Sequence, residues 1–312
     1  MIKVCILGSG TWAQALCKIC KMKNILIKCR NMKIAKKKFN ISKINLTEDF
    51  KDLTDSDFIF LAIPSQTVRK NLESLKKISL KTKSIFIICC KGVEKKTNKL
   101  ISEVIRDIFP NNKLAVLSGP NFSSEIIAKK PSASVLSSSN KSISLKVSRL
   151  LSPRNFRIYF NNDIIGTQLG GAMKNVIAIA CGLVKGKNLG ENAKAAIITR
   201  GITEIVRLGL KMGAKRNTFY GLSGIGDLTL TCSSLKSRNM KLGYDMAKGK
   251  KLAQLKRYSV LEGVESCQSI CNLGKIYDVE LPLCNSINQI IKGSEADYVI
   301  SSLLSRPLQY ET

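Results

Sequence analysis

The chain has 312 residues, 44% of them hydrophobic, and a formal net charge of +29 from 51 basic and 22 acidic residues. This length suits two domains, or one large domain with an appendage, and the apolar content is enough for real cores. Eleven cysteines and no histidine argue against a secreted disulfide scaffold and for reduced thiols in a cytoplasm, and they leave Lys, Asp, Glu, Cys or Tyr as the only candidates for general acid or base.

The chain opens into a strand-like run, residues 2–7, without a secretory signal pattern. Further apolar runs of β character follow at 25–29, 57–63, 84–90, 114–117, 133–136 and 156–160. Between them lie segments of helical character, among them 65–77, 97–109 and 140–151. Such alternation predicts a mainly parallel sheet covered by helices on both faces. From residue 164 the strand signal fades, and helical periodicity marks 165–185, 192–212, 238–247, 264–277 and 283–291. The expected architecture is an α/β, Rossmann-type doubly wound sheet over residues 1–163, followed by an all-α domain over 164–312.

Gly8-Ser9-Gly10-Thr11-Trp12-Ala13 follows the first strand and opens a helix. This is the G-x-G-x-x-G/A pattern of a dinucleotide site. Gly8 permits the tight turn, Gly10 lets the backbone approach a pyrophosphate, and Ala13 is small enough for close helix–strand packing. The helix start offers free N–H groups to the phosphates. NAD sites usually carry an acid at the end of the second strand, for the ribose 2′-hydroxyl. Residues 14–47 contain no acid, and the second strand ends in Cys29-Arg30-Asn31. Arg30 is placed to meet a 2′-phosphate or to stack on adenine, so NADP(H) is the preferred cofactor and NAD(H) a possible one.

Three features have plainer readings. Cys17-Lys18-Ile19-Cys20 has metal or redox spacing, but it falls in a predicted helix without a second pair or a histidine, so packed thiols are expected and no metal. The lysines run along the whole chain, and their densest cluster, 33–38, lacks interleaved aromatics, so no nucleic-acid partner is expected. Residues 164–184 are about one bilayer span long, yet Gln168, Lys174 and Asn175 interrupt them; a buried helix and no membrane span are expected. Lys174 lies among Val176, Ile177 and Ile179, which points to a buried amine of depressed pKa or one aimed into a cleft, and equally, taken alone, to a structural lysine that snorkels to the surface.

Polar clusters complete the pattern: Ala62-Ile63-Pro64-Ser65, Lys91-Gly92-Val93-Glu94, Leu117-Ser118-Gly119-Pro120, Lys174-Asn175-Val176-Ile177-Ala178, Thr199-Arg200-Gly201-Ile202-Thr203-Glu204, Gly221-Leu222-Ser223-Gly224-Ile225-Gly226-Asp227-Leu228, Thr231-Cys232, Ser237-Arg238-Asn239 and Leu261-Glu262-Gly263-Val264. Together with the glycine motif they resemble, from end to end, the soluble NAD(P)-dependent glycerol-3-phosphate dehydrogenase family. The resemblance implies Lys174 as general acid/base, with Lys91 and Asp227 as its catalytic neighbours. It implies Lys91, Gly119, Asn121, Lys174, Asp227, Ser237, Arg238 and Asn239 around a small phosphorylated substrate. It implies Gly8, Gly10, Thr11, Trp12, Arg30, Lys91, Ser123, Arg238 and Glu262 around the cofactor, and a homodimer. The chain departs from the family pattern at Ala13-Gln14, where Gly-Thr is usual, at Asn121, usually Ser, and at Ser123, usually Ala. Lysine chemistry suits the reaction: a neutral amine takes the alcohol proton and the ammonium returns it, with burial, Lys91 and Arg238 lowering the pKa of Lys174 and Asp227 opposing them. The alternatives are another two-domain dehydrogenase acting on a hydroxyacid or acyl-CoA, and a basic nucleic-acid-binding protein on the same scaffold.

Overall fold

A computed structural model describes residues 2–22, 24–39, 44–151, 153–256 and 260–304. The first half builds one eight-stranded sheet from β1 (Val4–Leu7), β2 (Ile25–Lys28), β3 (Ile44–Thr47), β4 (Phe58–Leu61), β5 (Ile85–Ile88), β6 (Lys113–Ser118), β7 (Ser132–Ser137) and β8 (Phe156–Asn161), in the order β3-β2-β1-β4-β5-β6-β7-β8. Every pairing is parallel except β6 with β7. β1, β4 and β5 are buried at every position, which is why they read as unbroken apolar runs rather than alternations. β3, Ile-Asn-Leu-Thr at the sheet edge, is half polar and gives no such run.

Helices α1 (Thr11–Ile19), α2 (Met32–Lys38), α3 (Val68–Lys76), α4 (Ile101–Ile108), α5 (Ser123–Ile127) and α6 (Lys141–Leu150) connect the strands. Leu16, Ala35, Ile126 and Val147 from α1, α2, α5 and α6 cover one face of the sheet; Leu72 and Leu75 of α3 and Val104 and Ile105 of α4 cover the other. α4 begins later than its periodicity suggests, because Glu103 accepts the Leu100 N–H at 2.7 Å and fixes the start there. Cys17 lies within α1 and Cys20 just beyond it; all eleven cysteines are free thiols.

The second half contains α7 (Ile164–Gly186), α8 (Gly190–Lys211), α9 (Arg216–Phe219), α10 (Asp227–Ser233), α11 (Arg238–Ala247), α12 (Leu252–Lys256), α13 (Glu262–Ile276), α14 (Pro282–Ile291) and α15 (Ala296–Leu304). α7 is long and apolar enough to cross a membrane, but 89% of its most apolar stretch is buried inside the protein, packed by α8, α10, α11 and α13. Asp163 caps its first turn, accepting from the Gly166 N–H at 2.8 Å. The polar residues that interrupt its sequence all have partners. Gln168 accepts from the Ser102 N–H and donates to the Ser102 hydroxyl, tying α7 to α4 across the two halves.

α7 and α11 approach almost backbone to backbone. A Cβ at Gly182 would lie 2.0 Å from the Met240 carbonyl oxygen, and one at Gly243 would lie 2.0 Å from that of Ile179. Alanine at a mid-helix glycine ordinarily gains up to about 1 kcal/mol in helix propensity. Here overpacking wins, so Gly243→Ala should destabilise the protein by about 1–3 kcal/mol in urea unfolding; a stabilised variant would mean the two helices separate without cost.

Candidate active site

Four elements converge on one carboxylate. Asp227 opens α10 immediately after a tight irregular turn, Leu222–Gly226, in which Gly224 leaves helical geometry at φ −105°, ψ −105°. Its Oδ1 accepts from Lys174 Nζ of α7 at 2.5 Å, and its Oδ2 accepts from Lys91 Nζ, just past β5, at 2.5 Å. Lys91 also donates to the carbonyl of Gly119, just past β6, at 3.0 Å. Lys174 donates to the Thr231 hydroxyl at 2.7 Å. Thr231 stands four residues after Asp227, one turn along the same helix face. The side chain of Asp227 is 0% exposed, that of Lys174 9% and that of Lys91 21%, so the centre opens outward on the Lys91 side.

Two ammonium groups on one carboxylate leave the cluster with excess positive charge in a poorly solvated place. Burial lowers the pKa of Lys174 from 10.5 to about 8; the Asp227 carboxylate opposes the fall and the charge of Lys91 adds to it. Arg238, expected to share in that effect, is not among its main causes: its side chain is exposed at the first position of α11.

A second set of bonds holds this centre in place. Asn175, next to Lys174, donates to the carbonyls of Gly171 at 3.3 Å and Lys91 at 3.4 Å. Asn239 donates to the Asn175 side chain at 3.0 Å and accepts from the Gly263 N–H at 3.1 Å. Ser237 caps α11, accepting from the Met240 N–H at 3.3 Å. Ser237 and Asn239 thus spend these side-chain contacts on the fold, while Arg238 between them is free to reach outward. Asn121 turns its amide nitrogen toward β7, donating to the Ala133 carbonyl at 3.0 Å and the Ser134 hydroxyl at 2.7 Å, and its buried Oδ1 has no partner among the described residues. Ser123 begins α5. Of the motif residues that carry no assigned role, Asn175 stands beside Lys174 and Thr231 one turn from Asp227, a signal in their position, whereas Ser65 meets Glu262 only through the fold.

The glycine motif sits at the C-terminal edge of the same sheet. Gly8 has φ +111°, and a Cβ there would lie 2.4 Å from the Ala62 carbonyl oxygen, so only glycine fits. A Cβ at Gly10 would meet nothing within 4 Å. The first turn of α1 has no side-chain cap and no acid. Open space, free N–H groups and the positive end of a helix dipole fit a pyrophosphate. Thr11 is exposed and Trp12 half-buried in that turn. Arg30 is exposed just past β2, and Asn31 beside it caps α2 by accepting from the Ile34 N–H at 3.0 Å. Glu262 opens α13 and accepts from the Ser65 N–H at 2.9 Å and from the Ser65 hydroxyl. Burial raises its pKa, against those bonds and the charge of Arg238.

A dinucleotide edge facing a lysine–carboxylate–lysine centre across two domains defines a dehydrogenase of the two-domain, nicotinamide-dependent class. The description of the NAD-dependent glycerol-3-phosphate dehydrogenase N-terminus matches residues 3–144, and that of the C-terminus matches residues 163–299. The glycerol-3-phosphate dehydrogenase (NAD(P)+) of Parvibaculum lavamentivorans is 36% identical, over 99% of this chain and 98% of its own length. The enzyme of the same description from Zymomonas mobilis is 37% identical, over 98% of this chain and 94% of its own. The crystal structure of glycerol-3-phosphate dehydrogenase from Coxiella burnetii superposes with a TM-score of 0.93 at 29% identity, over 98% of this chain and 99% of that one. A ketopantoate reductase from Ralstonia eutropha shares the fold alone, at 12% identity and a TM-score of 0.61. The chain belongs to the NAD-dependent glycerol-3-phosphate dehydrogenase family.

The buried cluster makes a stability prediction. Asp227→Asn leaves two lysines facing each other without a counter-charge and should cost about 3–5 kcal/mol at neutral pH. The pKa of Lys174, already drawn down by burial, then falls further in the folded variant, so the unfolded chain binds more protons and stability rises with pH. Urea unfolding at pH 7 and near pH 10 should show the deficit shrinking; a deficit independent of pH would mean that charge is not its source.

Proposed function

We propose that this chain interconverts dihydroxyacetone phosphate and sn-glycerol 3-phosphate with a nicotinamide dinucleotide, and that Lys174 carries the proton. The observation that supports the proton role is the buried amine of Lys174, held 2.5 Å from Asp227 with its pKa drawn down to about 8. An amine of that pKa is a workable mixture of acid and base near neutrality. The cofactor, when bound, supplies or accepts the hydride.

The protein's own groups account for the rest. In reduction, the Lys174 ammonium donates its proton to the ketone oxygen as charge develops there; in oxidation, the neutral amine removes the hydroxyl proton. Asp227 fixes the amine's direction. Lys91, on the open side of the centre, faces the developing oxyanion with a positive charge. Arg238 presents a planar fork of donors to the substrate phosphate. Gly119, Asn121, Ser237 and Asn239 shape the wall around the substrate. Gly8, Gly10, Thr11, Trp12 and Ser123 lie along the dinucleotide, with Glu262 near its reactive end. Arg30 meets the 2′-phosphate, so NADP(H) is preferred and NAD(H) is also used. Residues 1–163 form the cofactor domain and residues 164–312 the substrate domain. The enzyme works in the cytoplasm, as a homodimer, and provides glycerol 3-phosphate for phospholipid synthesis.

Lys174→Met keeps the length of the side chain and removes the titrating amine. Asp227 retains Lys91, so the fold should persist at some loss of stability. Turnover should fall by about a hundredfold or more while NADPH affinity stays near normal. A kcat within a few-fold of the native value would move the proton role to Lys91 or Asp227.

Arg30→Asp should shift cofactor preference from NADPH toward NADH, read as the ratio of kcat/KM for the two. An unchanged ratio would leave Arg30 a surface charge.

A further inference from the structure

The missing acid at the end of the second strand has a substitute from the strand beside it. β2 and β3 run parallel, with Lys28 paired to Thr47 and the Cys29 N–H donating to the Thr47 carbonyl at 2.8 Å. In that register the residue after Thr47 comes level with the Cys29-Arg30 turn, where a dinucleotide fold ordinarily keeps its ribose-binding acid. That residue is Glu48. Its carboxylate accepts from the Met32 N–H, which folds it back over the β2–α2 turn. It is close enough that its negative charge adds to the raised pKa of the buried Cys29 thiol. Both Glu48 and Arg30 are exposed, and Asn31 between Arg30 and Met32 is committed to capping α2. The turn therefore sets the Glu48 carboxylate, delivered by β3, beside two cations of β2 and its end, Arg30 and Lys28, whose ammonium donates to the Cys29 carbonyl at 3.1 Å.

We propose that Glu48 is a specificity-determining residue of the cofactor site, accepting from the ribose 2′-hydroxyl of NAD(H) and opposing the 2′-phosphate of NADP(H). This rests on the dinucleotide reading of the glycine motif. Arg30 and Glu48 then pull in opposite directions. Arg30 rewards the extra phosphate, and Glu48 sets a limit on that reward, which keeps the unphosphorylated cofactor usable. A carboxylate suits a hydroxyl donor through a charge-assisted hydrogen bond, and it repels a phosphate placed at the same spot. Residues 14–47 hold no acid, and it is the pairing of two strands, not the order of residues, that brings Glu48 to the turn.

The test is calorimetric titration of the intact protein with NADPH and with NADH, in native form and as Glu48→Gln. Glutamine keeps a side-chain carbonyl oxygen for the Met32 N–H, so the turn is preserved and the charge is lost. The expected result is a tighter Kd for NADPH and a weaker one for NADH, changing their ratio by about tenfold, the equivalent of one charge-assisted hydrogen bond. Thermal unfolding without cofactor should be nearly unchanged. Glu48→Ala, which removes the acceptor as well, should change the ratio in the same direction with some loss of Tm. If both affinities fall together in step with Tm, Glu48 is a structural support of α2 and the proposal fails; if neither affinity moves, it fails as well. Native protein that binds neither dinucleotide would overturn the parent reading itself, a result distinct from an unchanged ratio in a protein that binds both.

Discussion

Asp227 is buried with an ammonium group on each of its oxygens, and the two lysines come from opposite halves of the molecule. Lys91 follows β5 in the sheet, and Lys174 stands in the middle of α7. The carboxylate is thus both the counter-charge that lets two lysines be buried and a joint between sheet and helical bundle. Removing water from three charges is costly, and the attraction between them offsets that cost only if the geometry is fixed. Much of the surrounding structure does this fixing: the irregular turn before α10, the Thr231 hydroxyl, and the Gly119 carbonyl on Lys91.

The same logic explains why α7 is so deeply buried. A lysine drawn down to a pKa near 8 needs an environment that withholds water from it, and a helix packed on several sides provides one. Glycines at 182 and 243 let α11 come close enough to seal that side. Gln168 and Asn175, which look misplaced in an apolar helix, are the bonds that set the helix against α4 and against the Lys91 loop. The polar residues Gln168 and Asn175 inside α7 therefore mark where it is held.

Much of this was legible in the sequence. Strands β1, β4 and β5 announced themselves as apolar runs because they are buried on both faces, and α7 through its long apolar span. The glycine motif fixed one edge of the sheet, since only glycine tolerates the position 2.4 Å from the Ala62 carbonyl. What stayed hidden depends on contacts between distant segments. β3 is short and half polar, and it is a strand only because β2 is beside it. The reversal between β6 and β7 has no local signature. At the centre, the residue types were readable and their division of labour was not. Ser237 and Asn239 hold helices in place while Arg238 between them is exposed, a difference set by which way α11 faces.

The proposed proton role of Lys174 rests on a buried amine whose pKa burial draws down to about 8. A folded-state pKa depressed from 10.5 to about 8 means that the ammonium predominates below that pH and the neutral amine above it. Reduction needs the first form and oxidation the second. The most direct measurement is kcat/KM for the phosphorylated substrate against pH in both directions on the native enzyme, which reports the acid or base before substrate binds. The account predicts a reduction rate that falls, and an oxidation rate that rises, through a common inflection near pH 8. Profiles that are flat across that range in both directions, or that bend together in the same sense, would contradict it.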